Sequence, residues 1–304
     1  MPQNSSRAES SGNSGQPEVE TIIESILADA GEIATMPEVT VRIIDIVENP
    51  NSNMQELHEV IRNDPVLSTR ILKVVNSALY GLPSQVANVD RAIVLLGLSA
   101  VKNIALAASM TSLFTGDSDI ERFSAGDIWK HSLSMGVGSK MLYAARKRPG
   151  GDEAFLAGLI ADVGLLIERQ ALLYKMRVVI ERFFENCGDF CALEREILGV
   201  DHQLVGMALG RQWRFPNAIC QTIGHHHEPP ATDAAESELT ATVYLADRLA
   251  CRMEAGFCSY GPDAPIDPAV LSRLKLTPAD AQHVHDEMPA QIESAAKIFA
   301  PEDR

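Results

Sequence analysis

The chain has 304 residues, enough to bury a substantial core in one large domain or two. Its 26 Lys and Arg face 41 Asp and Glu, a formal net charge of −15. That balance opposes non-specific attachment to nucleic acid or to an anionic membrane, since both need basic surface. Aromatic residues are only 5% against 46% hydrophobic, so the expected core is aliphatic. No signal peptide is read at the polar N-terminus. The most apolar run, Ala92 to Met110, contains Lys102 and Asn103 and falls short of a membrane span. Five cysteines form no paired framework, and Cys187 and Cys191 stand at a C-x3-C spacing without a second pair. Reduced thiols in the cytoplasm are the expectation.

Residues 1 to about 17 are rich in Ser, Asn, Gly and Gln and are expected to be a disordered tail. A helix follows with Ile22, Ile23, Ile26 and Leu27. Pro37 opens the next, striped by Val39, Ile43, Ile46 and Val47 and ended by Asn49-Pro50-Asn51. Ser52 and Gln55 make a capping-box pattern ahead of Leu57, Val60 and Ile61. Asp64 caps a helix with Pro65 at its first position, and Leu67, Ile71, Val74, Val75 and Ala78 give its inner face. Gly81 is placed to end that helix in the left-handed conformation, and Pro83 forbids its resumption. A second apolar helix breaks at Gly97, and Ser99 is positioned to cap a third carrying Val101, Ile104, Ala105 and Ala108. Three helices joined by short loops must pack on one another.

A loop around Gly116 to Ser118 leads to a long helix near Asp127 that contains Trp129, His131, Leu133 and Met135. Arg146-Lys147-Arg148 reads as a solvated helix end. The segment Glu153 to Arg169 follows, then helices over 193–198, 205–213, 218–223 and 239–253. The last part has a Pro-rich lead and one acidic helix, expected to cap the bundle. No internal repeat and no strand alternation is seen. The fold expected is all-α, with a tail over 1–18, helical modules over 19–116 and 117–256, and an extension over 257–304.

The run DPVLSTRILKVVNSALYGLPSQVANVDRAIVLLGLSAVKNIAL, preceded by Met36-Pro37-Glu38-Val39, resembles the HDOD family, the regulatory relatives of the HD-domain phosphohydrolases. The likeness runs from about Gly31 to about Ala250. It implies an HDOD fold with an HD-like second module, and a signalling role. It does not imply catalysis, because HDOD proteins typically lack a complete HD metal site. In the HD pattern the ligands are a His on one helix, an adjacent His-Asp pair on the next, and a later Asp. His131 in WKHSL matches the first, Asp162 the Asp of the pair, and Asp247 in YLADRLA the later Asp. His202 and His226 resemble the further His residues of binuclear relatives, but Ala161 stands where the paired His is required.

A metal bound by such residues would lower the pKa of its water and clamp phosphate oxygens. Each candidate also has a plainer reading. His131 suits a hydrogen-bonded core histidine, and His225-His226-His227 suits a helix C-terminus, where imidazoles favour the dipole. His283 and His285 read as solvated, and the Met residues as core filler. Asn76 and Ser77 match a dipeptide of the family and suggest hydrogen bonding at a helix end. Ala157, Ala161 and Gly164 make a stripe of small residues that admits a neighbouring helix, whereas Asp162 lies with Phe155, Leu159 and Leu166 and needs a partner such as His131 or Arg248. Two functions follow. One is a non-enzymatic regulator that binds a signalling protein or a small ligand, with no cofactor, no nucleic acid and no membrane. The other is a phosphohydrolase or cyclic-nucleotide phosphodiesterase that uses a divalent metal in an altered site. A DNA-binding regulator is disfavoured by the charge.

Overall fold

The computed structural model describes residues 16–36, 38–49, 54–77, 79–114, 120–186, 188–231 and 235–299. Every regular element among them is helical, as the periodicities require. The first helices are α1 Gln16–Asp29, α2 Glu38–Glu48, α3 Met54–Arg62, α4 Pro65–Val75, α5 Val89–Leu96 and α6 Leu98–Met110. Then come α7 Ala125–Ala145, α8 Gly151–Ile160, α9 Val163–Ala171, α10 Leu173–Asn186, α11 Phe190–Leu198, α12 His202–Gln212, α13 Asn217–His225 and α14 Ala235–Arg252. Two helices close the chain, α15 Pro268–Leu274 and α16 Pro278–Phe299. The short α15 lies in what the sequence offered only as a Pro-rich lead. Asp267 caps it by accepting from the Ala269 N–H, and Pro268 opens it.

The apolar run of α6 is buried from Ile104 to Met110. It packs on α2 and α4 from one side and on α8 from the other, so the two halves share one core. Helix α16 lies across α7 and reaches α4, with Phe299 packed on Phe155 at 5.1 Å between ring centroids. At the other end α1 lies on α9 and α12, and the Trp213 indole N–H donates to Ala34 O at 2.9 Å. Lys147 and Arg148 at the end of α7 are exposed, as a solvated helix end should be, while the Arg146 side chain is largely covered; both arginines pair with Glu238.

Local signals succeed where the partner is local. Asp64 Oδ1 accepts from the Leu67 N–H at 2.9 Å, as the cap predicts. The helix it starts does not run on toward Gly81, however. It ends at Val75, because the Asn76 side chain clamps the Val86 backbone, donating to Val86 O at 2.9 Å and accepting from Val86 N at 2.7 Å. The Ser77 hydroxyl donates to Val74 O, so this dipeptide does the helix-end work expected of it. Gly81 keeps a positive φ of 55° but turns the loop rather than ending the helix. Helix α6 begins at Leu98 directly after Gly97, without a Ser99 cap. The tail before Gln16, Pro37, the Ser52 cap, the Ala78 position, the loop at 116–118 and Cys187 lie outside the described residues.

Candidate functional site

Five polar elements converge inside the second half. Helix α8 stops at Ile160, and Ala161 and Asp162 form a turn before α9. Asp162 therefore sits at a break, not on the apolar face of a continuous helix. Its carboxylate makes no bond to the start of α9 and turns inward. Gly164 explains what meets it there. A Cβ on Gly164 would stand 2.0 Å from His202 O, so only glycine lets the start of α12 seat against α9. Asp201 caps α12 by accepting from the Leu204 N–H at 3.1 Å and thereby aims His202 inward. His226 and His227 follow the last turn of α13, while α7 delivers His131 and α14 delivers Asp247.

All five residues singled out from the sequence meet in one buried cluster. His131 Nε2 lies 3.0 Å from Asp247 Oδ1 and 3.7 Å from Asp162 Oδ2. His226 Nε2 lies 3.1 Å and His202 Nε2 3.7 Å from Asp162 Oδ1. A sixth residue, His227, completes the group: its Nε2 is 3.0 Å from His202 Nε2, and its Nδ1 is 3.3 Å from Asp247 Oδ2 without hydrogen-bond geometry. None of the six is more than 5% exposed. Donor atoms of Asp162, His202, His226 and His227 all lie within 4.8 Å of one another, whereas His131 and Asp247 stand to one side as a pair.

The outer ring nitrogens fix the inner ones. His226 Nδ1 lies 2.8 Å from Ile223 O, which can only accept, so this nitrogen carries a proton. His226 Nε2 then presents a lone pair to the Asp162 carboxylate, unless a second proton or a cation lies between them. His202 Nδ1 lies 2.7 Å from Glu194 Oε2, which likewise directs Nε2 toward Asp162 and His227. Burial opposes charge on His202, but the Glu194 carboxylate outweighs it and raises the imidazole to about 9. Burial and then the neighbouring His226 push His227 down to about 3, so this ring is neutral. Burial would raise Asp162 and Asp247. The adjacent His226 imidazole overrides it at Asp162, and the adjacent His131 and His227 imidazoles override it at Asp247, leaving both below the usual carboxylate range. His131 moves up: burial is overcome by its bond to Asp247.

The helix-end reading of the His triplet is also correct, since His226 Nδ1 bonds the carbonyl of Ile223 three residues back. One imidazole performs both tasks, and sequence alone offers them as alternatives. Glu194, fully buried beside His202, was not singled out at all, because a lone Glu on a nine-residue helix resembles a solvated one. Arg248 stands 4.0 Å from Asp247 Oδ2 and stacks on Tyr260, 3.2 Å from the ring centroid. Offered by the sequence as a partner for Asp162, it instead lies beside Asp247, at a greater distance than His131.

Residues 33–229 match the family model of the HDOD domain. An uncharacterised protein of Treponema pallidum (strain Nichols) is 24% identical over 226 residues, covering 72% of this chain and 42% of that protein. The chain thus spans less than half the length of this curated relative. Among solved structures, an HDOD domain protein of unknown function from Geobacter sulfurreducens is 23% identical with a TM-score of 0.70, covering 94% of this chain and 97% of the other. A protein from Marinobacter aquaeolei VT8, named as a candidate signal transduction protein, is 22% identical with a TM-score of 0.73, over 94% and 66% of the two chains. One from Shewanella amazonensis SB2B, named as a candidate phosphohydrolase, is 20% identical with a TM-score of 0.69, over 91% and 98%. At these identities the likeness speaks for the fold.

Proposed function

Because the chain belongs to the HDOD family, we propose that it is a signal-transduction protein whose second half holds one divalent metal ion between Asp162, His202, His226 and His227, for partner or ligand binding rather than turnover. The observation that carries this reading is His226. Its Nδ1 proton is committed to Ile223 O, so its Nε2, 3.1 Å from the Asp162 carboxylate, faces another acceptor unless the ring carries a second proton. A cation between them resolves the conflict. The donor separations of 3.0, 3.1 and 3.7 Å bracket the edge of about 3.3–3.4 Å of a tetrahedron with bonds of about 2.0–2.1 Å. Imidazole donors suit zinc and its first-row neighbours.

Four protein ligands make a closed set, which is the arrangement of structural metal sites; catalytic sites keep a position open. The imidazole of the HD pattern is missing at Ala161, and His131 and Asp247 satisfy each other. When bound, the ion would supply positive charge that ties α9, α12 and the end of α13 together. The chain's own residues orient the set: Glu194 holds His202, Ile223 O holds His226, and Gln203 Oε1 accepts the His227 backbone N–H at 3.1 Å. The signalling name of the Marinobacter relative agrees with this reading, and the name of the Shewanella relative with the hydrolase alternative.

Elemental analysis of the purified full chain, with turnover of a generic phosphodiester measured in parallel, tests the reading. One equivalent of metal that disappears in His226→Ala and Asp162→Asn, with no metal-dependent turnover, is expected. A protein that takes up no metal would sink the cage. Turnover that vanishes in Asp162→Asn would establish the phosphohydrolase instead.

A further inference from the structure

A second donor group lies behind the first. Cys251 stands in the last turn of α14, and the loop after it doubles back. Glu254 and Gly256 make the bend with positive φ of 51° and 79°. A Cβ on Gly256 would lie 2.1 Å from Asp127 O, so the loop is seated on the first turn of α7 in a place only glycine fits. The Phe257 N–H donates to Asp127 O at 3.0 Å, and its ring packs on Phe123 and Phe190 with centroids 4.7 and 5.1 Å away. Cys258 is thereby fixed over His131. Its Sγ is 3.7 Å from His131 Nδ1, and the two sulfurs and this nitrogen all lie within 4.8 Å of one another.

We propose that His131 Nδ1, Cys251 Sγ and Cys258 Sγ form a second metal site, for a thiophilic cation such as Zn²⁺ or Cu⁺, with its fourth position toward the adjoining cavity. A tetrahedral zinc with bonds of about 2.3 Å to sulfur and 2.05 Å to nitrogen separates those donors by about 3.6 Å. The observed 3.7 Å between Cys258 Sγ and His131 Nδ1 is close to that edge. His131 carries the outer carboxylate partner that ligating imidazoles use: its Nε2 is bound to Asp247 Oδ1 at 3.0 Å, which orients the ring and leaves Nδ1 for the ion. The same carboxylate oxygen accepts from the Cys251 thiol at 3.4 Å, and binding of an ion there would release that proton to solvent.

An entry path is present. Both cysteines line a cavity of about 780 Å³, together with Trp129, Lys130, Phe257 and Tyr260. Cys258 is half-buried and Cys251 almost fully buried, so an ion reaches Cys258 first. Two thiolates, one imidazole and an open position form a donor set that binds a metal and exposes it to a ligand. The fourth ligand would be a water or a small anionic or thiol compound able to enter among the aromatic walls. None of the four residues of the first cage takes part, so this site stands or falls without it.

Cobalt(II) titration of the full chain, stripped of metal and kept reduced with a phosphine in the absence of air, decides the matter. Sulfur ligands give cobalt an intense near-ultraviolet charge-transfer band, which nitrogen and oxygen ligands do not. The band is expected in the wild type and in His226→Ala, and lost in Cys251→Ser and Cys258→Ser, each shown folded by circular dichroism. Zn²⁺ added in equal amount should displace the band. Its absence from the folded wild type would overturn the proposal. So would a band that persists in Cys258→Ser but disappears in Cys191→Ser, since Cys191 lies with Glu194 and His202 on the far side of the first cage. Loss of cobalt's weaker visible absorption alone in His226→Ala reports on the first cage separately.

Discussion

Helices α2–α6 and helices α7–α14 bury different chemistry. In the first group the polar side chains buried among the described residues are hydroxyls, Thr40 and Ser109. In the second, carboxylates, imidazoles and guanidinium groups lie in the interior, from His131 and Asp162 to Glu168, Glu194, Asp247 and Arg248. A hydroxyl can satisfy itself on its own helix, as Ser109 does by donating to Leu106 O. A buried charge needs a partner, and for His131, Asp162, Glu194 and Asp247 the partner comes from another element of the chain. The first half is therefore held by volume and the second by pairings as well as volume. Side chains of similar size should have unlike effects in the two.

The largest contrast is expected at Asp162. Asp162→Leu keeps bulk but strands His226, His202 and His131, and losing one partner of a buried pair costs about 3–5 kcal/mol. Asp162→Asn retains hydrogen bonding and should cost clearly less. Urea unfolding of the metal-free protein measures both, and equal losses would show that volume alone matters there. In the first half, Ile71→Val at a fully buried position should cost about 0.5–1.5 kcal/mol, all of it from the lost methylene. Ala161→His restores the imidazole of the HD pattern at a position with no exposure, and overfilling should cost about 1–3 kcal/mol. Gain of a further bound metal by this variant would show that the side occupied by His131 and Asp247 still accepts one.

A subtler difference concerns pH. Burial, and then the neighbouring Glu194 carboxylate, hold the Glu168 pKa well above its usual value. The folded chain thus keeps a proton that the unfolded chain releases above about pH 4.5. Stability contributed by that proton is present below this pH and falls as pH rises toward the folded pKa, by up to about 1.4 kcal/mol per unit. Glu168→Gln should flatten the slope of urea midpoint against pH between 5 and 8 while leaving the far-ultraviolet spectrum unchanged. An unaltered slope would mean that Glu168 is not the group that titrates. The smallest effect is expected in cooperativity. Since α6 packs on both α2 and α8, Ile71→Val should shift the whole transition without splitting it, and circular dichroism and tryptophan emission should coincide.

Sequence reading went far wherever a signal and its partner were neighbours in the chain. Asp64 and Pro65 start α4 through contacts three residues away. Asn76 was legible as a helix-end residue, but the early stop was not, because it depends on where Val86 comes to lie. The family pattern brought His131, Asp162, Asp247, His202 and His226 into view, and all five converge. His227 stayed hidden inside a triplet with an adequate local explanation. Cys251 and Cys258 stayed hidden because a C-x6-C spacing means nothing until Gly256 folds the loop onto Asp127 O. Glu194 shows the same limit: burial of a carboxylate is decided by the packing of α11 against its neighbours, which no local pattern records.

The seat of α1 has a consequence for the order in which a ribosome can build this molecule. Ala34 O receives its bond from Trp213, 179 residues further along. At about 5–20 residues per second, the acceptor waits about 10–35 s for its donor to be made. During that interval the apolar stripe of α1, with Ile22, Ile23 and Ile26, has neither α9 nor all of α12 to lie against. Helix α1 thus emerges well before the helices it docks on, and over those seconds it is the natural target for a holding chaperone.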